Sequence, residues 1–153
     1  MPTNPTWTLA LEVLAEPQWQ WCPGLKAGLV SAPMGEGPSR PPVWWRLTMF
    51  EGQLSGCPSE GARGGIAVWA DFLEKTKQHT TPIIDLEDSG TIGVLLEMLT
   101  KAYAGDFTIG HFPKEVEARW CITATSAHND LTFFFGPTLG SALAQALLAE
   151  WRS

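Results

Sequence analysis

Apolar and polar positions recur with two different periods along this chain, and the contrast is clearest in its second half. From Asp88 onward, Ile92, Leu95, Leu96, Leu99, Ala102 and Tyr103 fall at the spacing of a helical stripe. Asp88 is placed to cap that helix and Gly105-Asp106 to stop it. Gly93 inside it costs about 1 kcal/mol relative to alanine, which predicts a close backbone approach there. Phe107 to Phe112 then reads as a strand and Pro113-Lys114-Glu115 as a turn. Glu117 to Thr125 reads as a second strand, with Ala118, Trp120, Ile122 and Ala124 on one face. Ser126 to Asp130 forms a hairpin loop and Leu131 to Phe135 a third strand. Thr138 is placed to cap a last helix, lined by Leu139, Ala142, Leu143, Ala146 and Leu147. The expected fold class is α+β, a small antiparallel sheet with helices packed on one face and a C-terminal half running α-β-β-β-α.

The first half is harder to pattern. Pro5 to Glu16 predicts a helix, with Asn4 as its cap and Trp7, Ala10, Leu11 and Leu14 on one face. A period-2 reading through Trp7, Leu9, Leu11 and Val13 competes, but the Ala, Leu and Glu content favours helix, and Pro17 ends it. Pro23-Gly24 marks a turn, and Leu25 to Val30 suits a short strand. Pro33 to Pro42 is too rich in proline and glycine for regular structure. Val43 to Phe50 predicts a strand with Val43, Trp45, Leu47 and Met49 on one face and Trp44, Arg46, Thr48 and Phe50 on the other. Gly52 to Gly65 reads as a second loop, Ile66 to Trp69 as a further strand, and Asp71 to Lys77 fits either element. No repeat or long linker divides the chain. The expectation is one domain over residues 1–153, with a loop-rich, tryptophan-containing half at 1–81 and the α-β-β-β-α half at 82–153.

Composition narrows the function classes. Hydrophobic residues make up 44% of the 153, enough for a core, while charged residues are only 17% and tryptophans number 8. Few charges and many large aromatics leave two readings open: a thick core, or apolar surface covered by a ligand, a partner or a second copy of the chain. A net charge of −6 disfavours gripping a phosphate backbone, so no nucleic acid is expected as partner. Cys22, Cys57 and Cys121 are odd in number and unpaired by spacing, which suits free thiols in a reducing compartment. With no leader-like N-terminus and no long apolar run, the expectation is a cytoplasmic protein without membrane attachment.

One segment carries a resemblance. Asp85-Leu86-Glu87-Asp88-Ser89-Gly90-Thr91-Ile92-Gly93-Val94-Leu95-Leu96 resembles the D-L-x-D-P-A-T-x-G-x-L-L segment of small uncharacterised phage and prophage proteins. Trp120, the alanine-rich last helix from Gly136 to Trp151, and Trp19-Gln20-Trp21-Cys22-Pro23-Gly24-Leu25 look like further family features. The layout is also similar to phage domains described as α-β-α sandwiches. Ser89 stands where the family usually has proline, and residues 31–78 have no counterpart. The shared residues cap and pack, so the resemblance implies a fold and a phage setting, within an infected bacterial host, rather than a chemistry.

Candidate chemistry is sparse. His79, His111 and His128 share no metal-ligand spacing, Cys57 has no nameable activating base, and Gly52 to Gly56 has its serine one place late for a nucleophile elbow. Neither a catalytic residue, a metal site nor a cofactor is expected. The candidate ligand-binding residues are Trp44, Trp45 and Arg46 on one strand, Arg63 and Gly64 in a glycine-rich loop, and Arg119 with Phe134 on the sheet face opposite Trp120. The first functional expectation is a non-enzymatic phage accessory or anti-defence protein, acting as a homo-oligomer that sequesters a small nucleotide-type host immune signal. The alternatives are an inhibitor or adaptor docking on a host protein, and a small nucleotide-degrading hydrolase.

Overall fold

The computed structural model describes residues 5–31, 43–58, 65–125 and 130–153. These hold four helices and eight strands, the strands in two antiparallel sheets, so the fold is α+β as expected. The chain divides into two compact units: the residues up to Leu11 with Gln20–Asp85, and Glu12–Trp19 with Leu86–Ser153. The division falls within the first helix, α1 (Pro5–Ala15), whose Ala10 and Val13 are fully buried at the i, i+3 spacing of a helix. Its expected cap, Asn4, lies outside the described residues, as do the irregular stretch expected from Pro33 to Pro42, residues 59–64 and all but Asp130 of the loop expected from Ser126 to Asp130. Among the described residues no helix is long and apolar enough to cross a membrane.

The first unit is built on β1 (Lys26–Ser31), β2 (Val43–Phe50), β3 (Gln53–Pro58), β4 (Ala67–Val68) and β5 (Thr80–Ile84), in the order β4-β3-β2-β1-β5. Two expectations fail here. Gly52 to Gly65 is not all loop, because Gln53–Pro58 pairs with β2 through six register positions from Phe50↔Gln53 to Trp45↔Pro58. A tight turn makes this possible: Glu51 at φ 51° and Gly52 at φ 80° both adopt the left-handed conformation that suits a two-residue hairpin. Ile66 to Trp69 is a strand only at Ala67 and Val68, and Trp69 instead starts α2 (Trp69–Thr76), which settles the ambiguity over Asp71 to Lys77 as helix. β5 was not expected at all. Its Pro82 is tolerated because β5 is an edge strand, where a missing N–H can face outward.

The second unit follows the expected order: α3 (Ser89–Ala102), β6 (Phe107–His111), β7 (Trp120–Thr125), β8 (Leu131–Gly136) and α4 (Leu139–Trp151). Asp88 caps α3 by accepting a bond from the Thr91 N–H at 3.0 Å. Thr138 and Ser141 form a reciprocal capping box at the start of α4. α4 packs on β7 and β8, and α3 packs on α4, where the buried Tyr103 hydroxyl donates to the Ala146 carbonyl at 3.0 Å. β7 starts at Trp120 rather than Glu117, since residues 116–119 are still turning. Gly93 is also corrected. It is exposed, and nothing lies within 4 Å of where its Cβ would be, so no close approach explains it.

Candidate functional site

The first unit gathers Trp21, Trp45, Trp69 and Phe72 into a cluster on one side of its sheet. Register puts Trp45, Leu47 and Gly56 on one face, and α2 lays Trp69 and Phe72 over them. A Cβ on Gly56 would meet the Trp69 ring at 3.0 Å, so glycine there makes room for the indole. Trp69 is 1% exposed, 6.2 Å from Trp45 and 5.5 Å from Trp21, which it meets edge to face. Beside this cluster is an open cavity of about 510 Å³, whose lining includes the apolar Trp21, Leu54, Val68, Trp69 and Leu73 and the polar Gln53, Glu74 and Lys77. The Trp69 Nε1 is buried and has no hydrogen-bond partner among the described residues.

The opposite face of the same sheet carries Trp44, Arg46 and Lys26. Trp44 lies across Gly28, whose Cβ would meet the ring at 2.8 Å, and the Lys26 ammonium sits 5.4 Å from the ring centroid. Lys26 also pairs with Asp85 at 3.3 Å. Arg46 stands directly opposite Lys26, and its guanidinium donates to the Gly24 carbonyl at 2.8 Å. The separation of Trp44 and Trp45 onto two faces is therefore as expected, with Trp45 in the aromatic cluster.

In the second unit, register decides which side chains share a face. Ile122 is opposite Phe134, so Phe134 lies on the face of Trp120 and α4, not on the opposite face as expected. A shift of one residue in this register would exchange every side chain between faces. The open face instead carries Leu131, Phe133 and Phe135 of β8, beside Cys121, Thr123 and Thr125 of β7. Leu131, Phe133 and Phe135 are 60%, 53% and 46% exposed, and none of these strand residues is charged. Phe112, 49% exposed, follows β6 and lies over Gly110 on the same side. Among the described residues nothing pairs with the outer edge of β8.

The expected site residues are thus not one constellation. Trp44 and Arg46 share a face in the first unit and Trp45 faces away from them. Arg119 and Phe134 belong to the second unit, where exposed Arg119 donates its Nε–H to the Glu115 carbonyl at 3.1 Å. Arg63 and Gly64 lie outside the described residues, as does His128. His111 stacks on Trp120 at 4.2 Å, His79 is exposed in a turn, and Asp88 is taken up as a helix cap. Among the described residues no three His, Cys, Asp or Glu side chains gather where they could hold a metal ion. Sequence reasoning missed Trp21, Leu54, Trp69 and Leu73 as neighbours around the cavity, since that requires the unrecognised β3 hairpin and α2. Compared with known proteins, the chain matches no family model, no curated protein and no solved structure.

Proposed function

We propose that this chain is a non-enzymatic binding protein that works as an assembly of its own copies, joined through the open face and edge of β8. The observation that carries this reading is the row Leu131, Phe133 and Phe135, all about half exposed on an uncharged sheet face at an open strand edge. Natural edge strands are usually blunted by charge, proline or a bulge, and Leu131–Gly136 has neither charge nor proline. A second copy is the fitting occupant. A two-fold axis matches such a face with itself, and the absence of charge spares it the like-charge repulsion expected elsewhere on a chain of net charge −6. With Phe112, the apolar side chains expose on the order of 400 Å² per copy. That is about half of what one partner buries in a standard interface, so the association should depend on concentration.

Native mass spectrometry and sedimentation over a concentration series test this. The expected result is a dimer or higher assembly that falls to monomer in Phe133→Lys and Phe135→Lys variants of unchanged circular dichroism. A wild-type chain that stays monomeric throughout would overturn it. The resemblance of residues 85–96 supports placing such a protein among phage accessory or anti-defence proteins in the cytoplasm of an infected bacterium.

A second reading, sequestration of a small nucleotide-type signal, is favoured by Trp44 packing against Gly28 with Lys26 and Arg46 on the same face. An indole and two cations suit a base and a phosphate. Calorimetry with a panel of cyclic and ADP-ribose-derived nucleotides tests it. Binding should weaken in Trp44→Ala, and no heat with any member of the panel would count against the reading.

A further inference from the structure

We infer that two copies join edge to edge, β8 against β8 in antiparallel pairing about a two-fold axis at Phe133, so that the three-stranded sheet of each copy continues into the other. Such a joint rests on the self-assembly proposed for β8 and fixes how the copies meet. The direction of the β8 backbone carries it. At the two ends of the β6–β7 pairing, the Phe112 N–H donates to the Arg119 carbonyl at 2.7 Å and the Thr125 N–H to the Asp106 carbonyl at 3.2 Å. Both pairs continue the register of the residues between them. Antiparallel strands bond at alternate residues, so Cys121 and Thr123 bond to β6, while Trp120, Ile122 and Ala124 bond to β8. The β8 partners of these last three are Gly136, Phe134 and Thr132. The backbone N–H and C=O groups of Leu131, Phe133 and Phe135 are therefore the ones at the free edge.

The same three residues carry the exposed apolar side chains of the open face. A two-fold axis normal to the sheet keeps the open faces of both copies on one side. Centred on Phe133, it sets that residue against its own counterpart and Leu131 against Phe135 of the partner subunit. Every outward donor then meets an acceptor, in three pairs that each exchange two hydrogen bonds. Moving the centre by one residue leaves either Leu131 or Phe135 with no strand residue opposite. Directly opposed apolar side chains stabilise the seam, and the backbone bonds add what side chains worth about half a standard interface lack. The other edges fit less well. The Asp85 N–H donates to the Lys26 carbonyl in register with the β1–β5 pairs, which turns Pro82 outward, where it has no donor to offer. β4 has only two residues, and β6 places only Thr108 and Gly110 on the open face.

Amide hydrogen exchange of the intact chain, read residue by residue in nitrogen–proton correlation spectra at low and high protein concentration, tests the pairing. The expected result is an alternation. The Leu131, Phe133 and Phe135 amides exchange freely in the dilute monomer and at least about tenfold more slowly in the dimer, while those of Thr132, Phe134 and Gly136 are slow in both. Phe133→Pro removes an outward donor without touching the bonds to β7, and Phe133→Leu keeps that donor. Phe133→Pro should dimerise about tenfold more weakly than Phe133→Leu, through the two symmetry-related bonds it removes. An assembly whose Leu131, Phe133 and Phe135 amides exchange as in the monomer would overturn edge pairing and leave assembly through the open face standing. A chain monomeric at every concentration would overturn both. Protection of Phe107, Ile109 and His111 along with β8, in species larger than a dimer, would show β6 pairing head to tail with β8 and overturn the two-fold joint. Equal dimerisation of folded Phe133→Pro and Phe133→Leu would overturn it as well.

Discussion

Gly140 stands directly against Leu86: a Cβ on it would lie 1.7 Å from the Leu86 carbonyl oxygen. Backbone, not a side chain that could swing aside, occupies the space. The start of α4 is therefore seated on the segment that leads into α3, and only glycine permits it. Gly140→Ala is expected to destabilise the protein by about 3 kcal/mol, the upper part of the range for overpacking a close-packed site. Urea denaturation monitored by tryptophan fluorescence gives the measurement, and a loss below about 1 kcal/mol would show that the two backbones are not in contact.

Gly93 should behave in the opposite way. It is exposed in the middle of α3 with nothing within 4 Å of its Cβ position. Gly93→Ala should then stabilise by about 1 kcal/mol, through the unfolded chain and the helix propensity alone. The same denaturation experiment reads it, and destabilisation would indicate a neighbour that the fold does not contain.

These two glycines mark the boundary of what the sequence could convey. α3, β6, β8 and α4 were legible because Asp88, Gly105 and Thr138 are ordinary caps and stops around strong periodic stripes. Gly140 looks like any early helical residue, and its tight fit depends on where Leu86 lies. The first unit was illegible for a different reason. Its β2–β3 hairpin turns on Glu51-Gly52, which lacks the Asn or Asp that signals such turns, and β3 then carries a glycine needed to seat Trp69. Without that hairpin, Leu54 and Trp69 cannot be read as neighbours. The face of Phe134 is not legible because it follows from the pairing of β8 with β7, Ile122↔Phe134, which alternation within one strand does not fix.

The α3 cap offers a paired prediction. Asp88 accepts from the Thr91 backbone and Ser89 occupies the first helical position. Asp88→Ala should cost about 1 kcal/mol. Ser89→Pro, which restores the residue usual in the resembling segments, should be neutral or stabilise by up to about 1 kcal/mol, because proline suits that position and restricts the unfolded chain. Thermal unfolding of both variants measures the effects. A strongly destabilised Ser89→Pro would contradict the placement of Ser89 at the helix start.

Tyr103 is the only tyrosine, so its ionisation can be followed without interference from another. Burial first, and then the Glu150 carboxylate, raise its pKa above 10.0. The folded state thus holds its proton where the unfolded state releases it. The associated stability is complete below pH 10.0 and is lost as pH rises through the higher folded-state pKa. Ultraviolet titration of the native protein should show tyrosinate forming at higher pH than in denaturant. Tyr103→Phe should flatten this part of the alkaline stability slope and cost about 1 kcal/mol at neutral pH for the lost bond to Ala146. Coincident native and denatured titration curves would remove the basis for both.

Glu51 is a non-glycine residue held at φ 51°. For most L-residues this conformation costs about 1–2 kcal/mol, because Cβ crowds the neighbouring carbonyl, and asparagine pays least among them. With Gly52 at φ 80°, Glu51→Asn creates the preferred pair for a two-residue hairpin. The side chain of Glu51 is exposed, so little packing is lost in the exchange. The substitution should raise stability by up to about 1 kcal/mol and slow exchange of the amide hydrogens that join β2 to β3. Because β3 also carries Leu54 and the glycine under Trp69, the aromatic cluster should be steadied with the turn. A loss of stability in Glu51→Asn would mean that the chain does not turn at Glu51-Gly52, and the β3 register that sets the cavity wall would have to be redrawn.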